Sequence, residues 1–125
     1  MTSYQQIIDD MEPGLERCIL SILDKRKGIT NAVKKGEIIA LTRANGFKVS
    51  NERQIRLAIS HLRKQGVLIG STNADGYFMC ATLQEWQYVK DTELLARVRD
   101  ISETVSIMDK SARAAFGDGY QAALL

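Results

Sequence analysis

The sequence is poor in the residues on which most metal and catalytic sites depend. It contains one histidine, His61, and two cysteines, Cys18 and Cys80, which stand outside any Cys-x-x-Cys spacing. Zinc sites need several such ligands held close together, so we expect no metal. Two isolated thiols are typical of reduced, buried side chains that pack as small hydrophobes, with a disulfide between them as the alternative.

Motifs for catalysis and phosphate binding are also missing. The sequence has no Gly-x-x-x-x-Gly-Lys-Ser/Thr loop, no Gly-x-Ser-x-Gly and no His-Glu-x-x-His, and the periodicity supports no paired-carboxylate arrangement as a catalytic site. We therefore predict that the protein is not an enzyme, has no catalytic residues and uses no cofactor. No segment indicates a separate domain that would bind a small molecule.

Long apolar runs and a basic leader are missing as well. No segment approaches the roughly 20 apolar residues of a membrane helix, and the start, MTSYQQIIDDMEPG, lacks the basic and apolar parts of a signal peptide. We expect a cytoplasmic protein without membrane contacts. With 125 residues, 45% of them hydrophobic, one globular domain is expected.

Basic residues, by contrast, are plentiful in one part of the chain. The net charge is only +2, but the segment from Lys25 to Gln65 holds eleven lysines and arginines against Glu37 and Glu52. Its net charge is therefore +9, which leaves −7 for the remainder. Such a concentration indicates a phosphate-binding surface, with ordinary solvent-exposed lysines as the alternative.

Apolar residues three or four positions apart predict three helices in this half of the chain. The first begins at Pro13 and ends near Gly28, the second covers about residues 37–44, and the third runs from Ser50 to Gly66. Ser50 is expected to cap the third helix, because its hydroxyl can accept a hydrogen bond from a free backbone N–H group. The expected core positions are Leu15, Cys18, Ile19, Ile22 and Leu23; Ile38, Ile39 and Leu41; Phe47 and Val49 in the turn; and Ile55, Ala58, Ile59 and Leu62.

A β-hairpin is predicted directly after the third helix. Residues 67–69 and 77–79 are β-prone runs on either side of a loop that contains Asp75-Gly76, a favoured pair in hairpin turns. Either Tyr77 or Phe78 should point inward, since adjacent strand residues face opposite sides of a sheet. These elements predict a mainly α fold with a small β-hairpin wing, a winged helix-turn-helix, followed by a long C-terminal helix.

The outer face of the third helix carries residue types that contact DNA. Arginine suits guanine edges, glutamine suits adenine, and lysine and serine suit phosphates, although a solvated charged face would have a similar composition. The predicted base-contacting residues are Arg53, Gln54, Arg56 and Leu57. The predicted phosphate-contacting residues are Lys34, Lys35, Lys48, Ser50, Asn51, Ser60 and Lys64, with Thr72 and Asn73 as polar contacts from the wing.

A heptad pattern distinguishes the C-terminal helix, which is predicted for residues 83–116 and begins with a capping box at Thr82-Leu83-Gln84-Glu85. Its apolar residues, spaced alternately four and three apart, are Leu94, Val98, Ile101, Val105, Met108, Ala112 and Ala115. A small domain has little free surface for such a helix, so we interpret the pattern as a homodimer seam, with packing on the chain's own domain as the alternative. The pairing direction stays open, as does a break near Asp91-Thr92. Trp86 and Tyr88 should dock the helix start on the core.

The run IRLAISHLRKQGVLIGSTNADGYF, residues 55–78, resembles the third helix and wing of biotin-repressor-type winged-helix domains and of small winged-helix proteins of phages and mobile elements. The resemblance covers about residues 15–82. It implies sequence-specific binding of double-stranded DNA, usually as a dimer, with Ser50 capping the recognition helix and the wing near the minor groove or the backbone. Residues 71–75 depart from the pattern, because they include no arginine or lysine.

These expectations divide the sequence into an N-terminal arm (1–12), a winged-helix DNA-binding domain (13–82), a C-terminal dimerisation helix (83–116) and a flexible tail (117–125). The leading hypothesis is a dimeric transcriptional regulator, associated with the nucleoid of a bacterium or of a phage-infected host. A replication protein of a phage or plasmid, binding an origin or loading a helicase, would use the same site. A winged helix that binds another protein is the third hypothesis.

Overall fold

A computed structural model of the protein describes residues 14–74 and 76–117. The predicted arm, Pro13, Asp75 in the hairpin loop and all of the predicted tail except Gly117 lie outside the described residues. Every structural statement below concerns the described part of the chain.

The described chain is mainly helical, with one small antiparallel sheet and a long C-terminal helix. This confirms the predicted mainly α architecture. Helices α1 to α4 and the sheet form one compact unit, and the π-helical turn with α5 forms another. In chain order the elements are α1 (Leu15–Asp24), a 3-10 turn (Ile29–Asn31), β1 (Val33–Lys34), α2 (Lys35–Ala44), α3 (Glu52–Lys64), β2 (Ile69–Ser71), β3 (Gly76–Met79), α4 (Leu83–Val89), a π-helical turn (Lys90–Leu94) and α5 (Leu95–Phe116). None of the described helices is both long enough and apolar enough to cross a membrane.

The sheet has three strands in the order β1-β3-β2, so the hairpin gains a third strand from the connector that precedes α2. Val33 of β1 lies opposite Tyr77 of β3, and Gly70 of β2 lies opposite Phe78. Both pairings are antiparallel. Because β1 leads straight into α2, the pairing fixes where that helix begins.

The main core lies between one face of the sheet and helices α1, α2 and α3. Leu20 is fully buried in α1, while Cys18, expected in the core, is only partly buried. In α2 the buried residues are the predicted Ile38 and also Thr42, whereas the predicted Leu41 is only partly buried. The Thr42 hydroxyl donates to the backbone carbonyls of Ile38 and Ile39, each at 2.9 Å, and a buried polar group is tolerated when it is hydrogen-bonded in this way.

The other face of the sheet is also covered, which the strand pattern does not predict. Alternation along a strand predicts that only one of Tyr77 and Phe78 points inward, yet both are buried, at 8% and 0% exposure. Phe78 forms a second cluster with Cys80 and Val89, against which Trp86 packs. The reason is α4, which lies on this face, so the first unit extends past residue 82 to Val89.

The start of α4 matches the predicted capping box. Thr82 Oγ1 accepts a hydrogen bond from the Glu85 backbone N–H at 3.1 Å. The Glu85 carboxylate accepts from the backbone N–H groups of Ala81 and Ile29, both at 2.7 Å, and these bonds lower its pKa. Trp86 docks on the core as expected, but Tyr88 does not, since it is 55% exposed.

Gly70→Ala should destabilise the first unit by about 1–3 kcal/mol. A Cβ atom at residue 70 would lie 2.5 Å from Val89 Cγ2 and 2.6 Å from Phe78 Cζ, so the second cluster would have to move. The free energy of unfolding can be measured in urea through the fluorescence of Trp86, the only tryptophan. Gly36→Ala in α2 is the control: nothing lies within 4 Å of its Cβ, and alanine should stabilise the helix by about 0.5–1 kcal/mol. Wild-type stability in the Gly70 variant would contradict this packing.

Candidate nucleic-acid interface

A tight turn sets α3 against α2. After α2, Gly46 has a φ of +92°, a conformation that residues with a side chain rarely adopt. Val49 is 3% exposed and Phe47 is partly buried against the core, which confirms that both fill the space between the helices. Arg43 Nε donates to the Val49 carbonyl at 2.8 Å, so this arginine holds the turn.

The cap of α3 is Asn51, and the prediction that Ser50 caps the helix is wrong. Asn51 immediately precedes the first helical residue, in an extended conformation, and its side chain accepts the Gln54 N–H at 3.2 Å. Ser50 lies one residue too early for this role. Its backbone N–H and its hydroxyl instead donate to Gln54 Oε1, at 2.6 and 3.1 Å.

This reciprocal cap has a consequence for Gln54, a predicted base-contacting residue. A glutamine that pairs with adenine through two hydrogen bonds uses both its oxygen and its nitrogen. Gln54 Oε1 already accepts from Ser50. While the cap is formed, Gln54 retains only its NH₂ group as a free hydrogen-bonding group.

The outer face of α3 consists of five predicted contact residues that the structure brings together. Ile55, Ala58, Ile59 and Leu62 are buried on the inner side of the helix. The exposed residues between them, at about 100° per residue, fall on one side. We define the outer face as Arg53, Arg56, Leu57, Ser60 and Lys64, all of which are exposed.

The cations of the outer face are available to a ligand. Within the described residues, Arg53, Arg56 and Lys64 show no ion pair or hydrogen bond from their side chains. The central residue of the face, Leu57, is apolar and 59% exposed. The face therefore combines three charged groups with one apolar contact.

Other basic residues of the segment are engaged within the protein. Lys35 Nζ lies 3.6 Å from the Glu52 carboxylate, with 22% of its side chain exposed, so this predicted phosphate contact is already paired. Arg26 pairs with Glu37 at 2.6 Å. Arg63 Nε donates to the Ile69 carbonyl at 2.9 Å and ties the end of α3 to β2. The charge count thus overstated the free positive charge.

Outside α3, the predicted contact residues are divided between the sheet and the turn. Lys34 is exposed on β1, opposite Gly76 at the base of the hairpin loop, and Lys48 is exposed in the turn before α3. Asn73 is exposed in the loop. Thr72 Oγ1 accepts the Gly76 N–H at 3.1 Å, which closes the loop and gives this predicted DNA contact a structural role.

A groove between α1 and α3 adds a feature that spacing alone did not predict. His61 Nδ1 lies 2.5 Å from the Glu16 carboxylate, so the only histidine links the two helices. The groove has a volume of about 910 Å³ and is lined by residues that include Leu15, Leu57 and Lys64. No group of histidine, cysteine or acidic residues that could hold a metal ion occurs in the described ranges.

The predicted seam lies on the second unit and is exposed. Leu94 falls in the π-helical turn, which occupies the place where a break near Asp91-Thr92 was considered. No residue of α5 is buried. Val98, Ile101, Val105 and Met108 are between 52% and 65% exposed. We define the α5 seam as Leu94, Val98, Ile101, Val105, Met108, Ala112 and Ala115.

Asn51→Ala should destabilise the first unit by about 1 kcal/mol, the usual effect of removing an N-cap side chain. Ser50→Ala should have a smaller effect, because the backbone N–H of residue 50 can still donate to Gln54 Oε1. Urea unfolding followed by Trp86 fluorescence compares the two. A larger loss for Ser50→Ala than for Asn51→Ala would show that residue 50 is the cap after all.

The outer face of α3 can bind a polyanion through its cations and make one apolar contact. The α5 seam can bind another apolar helix face. No family model, curated protein or solved structure matches this chain. The function of the protein therefore has to be inferred from the chemistry of these two surfaces.

Proposed function

We propose that the first unit is a winged helix-turn-helix domain that binds double-stranded DNA, with α3 as its recognition helix. The succession of α2, a short turn, α3 and the β2–β3 hairpin supports this proposal. An α-helix fits the major groove of DNA, and residues near its N-terminus reach the base edges. Such a protein would act in the cytoplasm, at the nucleoid.

The observation that carries the proposal is the charge of the outer face of α3. A merely solvated helix face normally mixes both signs of charge. Between Arg53 and Lys64, α3 contains no acidic residue. Glu52, the one acid of the helix, lies beside Lys35. Unpaired cations on the exposed side of one helix are suited to binding phosphates.

The positions of the side chains divide their roles. Arg53, Arg56 and Leu57 lie in the first half of α3 and would contact base edges, with Leu57 suited to a thymine methyl group. Gln54 would contribute at most its NH₂ group, for the reason given above. Ser60 and Lys64, nearer the end of α3, would contact phosphates together with Lys34 and Lys48.

We further propose that the protein is a homodimer and a transcriptional regulator, paired through the α5 seam. A helix of 22 residues with no buried side chain is marginal in water on its own, since most helical stability comes from packing of an apolar face. A second copy supplies that packing. Two copies of α3 would then read two half-sites separated by one helical turn of DNA or a multiple of it.

A second candidate, a protein-interaction module, is favoured by one observation. Leu57 is 59% exposed beside the groove between α1 and α3, and an exposed apolar residue next to a groove is typical of protein-binding surfaces. The described part of the β2–β3 loop also contains no cation. Binding to protein through these groups would depend little on salt, whereas binding to DNA would depend on it strongly.

Arg53→Ala and Lys64→Ala should weaken DNA binding in different ways. Loss of Arg53 should reduce binding to a selected specific site by about 1–3 kcal/mol and relax sequence preference. Loss of Lys64 should weaken binding to all sequences alike and lower the salt slope by about 1. Fluorescence anisotropy with a specific and a scrambled duplex measures both effects.

Lys110→Ala on α5 is the matched control, because it removes the same charge from a helix outside the first unit. Its affinity for both duplexes should stay close to that of the wild type. If the Arg53 and Lys64 variants lose affinity equally on both duplexes, the division of roles is wrong. If neither differs from the control, α3 is not the recognition helix.

Ile101→Glu and Met108→Glu should convert dimers into monomers, because each places a charge in the middle of the α5 seam. Ser106→Glu, on the opposite side of α5, should leave the dimer intact. Sedimentation equilibrium or light scattering measures the mass of each variant. A monomeric wild type, or a dimer in all three variants, would rule out the seam as the dimer interface.

A further inference from the structure

The α5 seam is graded in size along its length. Its larger side chains lie between Leu94 and Met108, whereas Ala112 and Ala115 end it. All of the seam residues from Val98 to Met108 are more than half exposed, so the gradient is not explained by packing within the described chain. A helix that fits this surface should present small side chains opposite the end of the seam near Leu94 and larger ones opposite Ala112 and Ala115.

A second copy in the parallel direction does not have that shape. In a parallel pair each seam residue faces its own counterpart. Leu94 would face leucine and Ile101 isoleucine, while Ala112 and Ala115 would face alanine. The pair would be wide at one end and loosely packed at the other, although helix interfaces pack best when large residues face small ones.

A second copy in the antiparallel direction matches the gradient. Turning the copy around brings the small end of one seam against the large end of the other. With the two-fold axis level with Glu103, Leu94 faces the partner's Ala112, Val98 faces the partner's Met108 and Ile101 faces the partner's Val105. Each of these layers occurs twice by symmetry, and each combines a larger with a smaller side chain.

The alternative antiparallel registers cover fewer of the large apolar side chains of the seam. Shifting the pair by one heptad toward the C-terminus places Val98 and Ile101 opposite alanines and leaves Leu94 without a counterpart in the seam. Shifting it the other way removes Met108 and Ala112 from the interface. The register centred at Glu103 is the one in which every large seam residue is covered.

The residues beside the seam are compatible with this arrangement. An antiparallel pair brings each flank of the helix against the same flank of its partner. Near the axis, Thr104 would face Thr104 and Ser102 would face Ser102, so no like charges meet. Arg97 would lie near Ser111, and Asp109 near Leu95, which again avoids repulsion.

We propose that two copies of this chain pair antiparallel through α5, with Leu94 packed against the partner's Ala112, Val98 against the partner's Met108 and Ile101 against the partner's Val105. The proposal rests on the homodimer proposed above, and not on DNA binding. It supplies the direction and register that the heptad pattern left open.

Cysteine cross-linking in the full chain tests it. Cys18, which is partly exposed, is first replaced by serine, and the buried Cys80 is kept. The single variants Val98→Cys, Met108→Cys and Thr104→Cys are then made. Each is oxidised alone, Val98→Cys is also oxidised after mixing with Met108→Cys, and the products are resolved by non-reducing electrophoresis. Met108→Cys carries an added tag, so that a mixed dimer has its own mass. Glu103→Cys, level with the axis but on the outer side of α5, is the control.

The proposal predicts a mixed cross-link between Val98→Cys and Met108→Cys, a self cross-link of Thr104→Cys, and none for Val98→Cys alone or for Glu103→Cys. A self cross-link of Val98→Cys without the mixed product would establish a parallel pair and overturn the proposal. A wild type that sediments as a monomer would overturn it too. Anisotropy with duplex DNA on the same proteins separates these failures from a failure of DNA binding.

Discussion

Burial of strand β3 on both faces is the constraint on which the first unit depends. Tyr77 packs in the cluster that α1, α2 and α3 build on one face, and Phe78 packs in the cluster that α4 completes on the other. Neighbouring residues of one strand thereby connect all four helices. The Phe78 ring fits because residue 70, opposite it in β2, has no Cβ. Close packing of this kind tolerates few changes in volume.

The orientation of α3 follows from this packing. Ile55, Ile59 and Leu62 are held in the main cluster, so the opposite side of the helix has to face solvent. Arg43, near the end of α2, and Arg63, near the end of α3, donate to backbone carbonyls and hold the turns that follow these helices. The basic residues Arg43 and Arg63 therefore stabilise the fold, whereas the exposed cations of the outer face of α3 make no such bond in the described part of the chain.

Sequence patterns predicted the helices and strands better than the packing contacts between them. The helices and the hairpin follow from local periodicity and turn residues, and the structure has both, although the predicted C-terminal helix is divided into α4 and α5 by a π-helical turn. Periodicity could not show that α4 covers the outer face of the sheet, because that contact joins Trp86 and Val89 to Phe78 across a turn of the chain. It also misplaced the cap of α3 by one residue, since both Ser50 and Asn51 are residue types that cap helices.

The candidate site was predictable in outline because its central residues lie on one helix. The spacing of Arg53, Leu57 and Lys64 on one helical face can be read from the sequence, and the structure places them together on the exposed side. The pairing of Lys35 with Glu52 and the use of Gln54 in the cap could not be read in this way. Both depend on geometry between elements, which charge counts do not contain.

The most direct test of DNA binding is fluorescence anisotropy with a labelled generic duplex, titrated from about 50 to 200 mM salt, the range over which phosphate contacts are lost. Five exposed cations, namely Lys34, Lys48, Arg53, Arg56 and Lys64, would give a slope of log affinity against log salt of about −4.5 per protomer if each neutralised one phosphate. A steep negative slope approaching that value is the predicted result. Binding that is negligible at low salt, or affinity that does not change with salt, would contradict the proposal that α3 binds DNA.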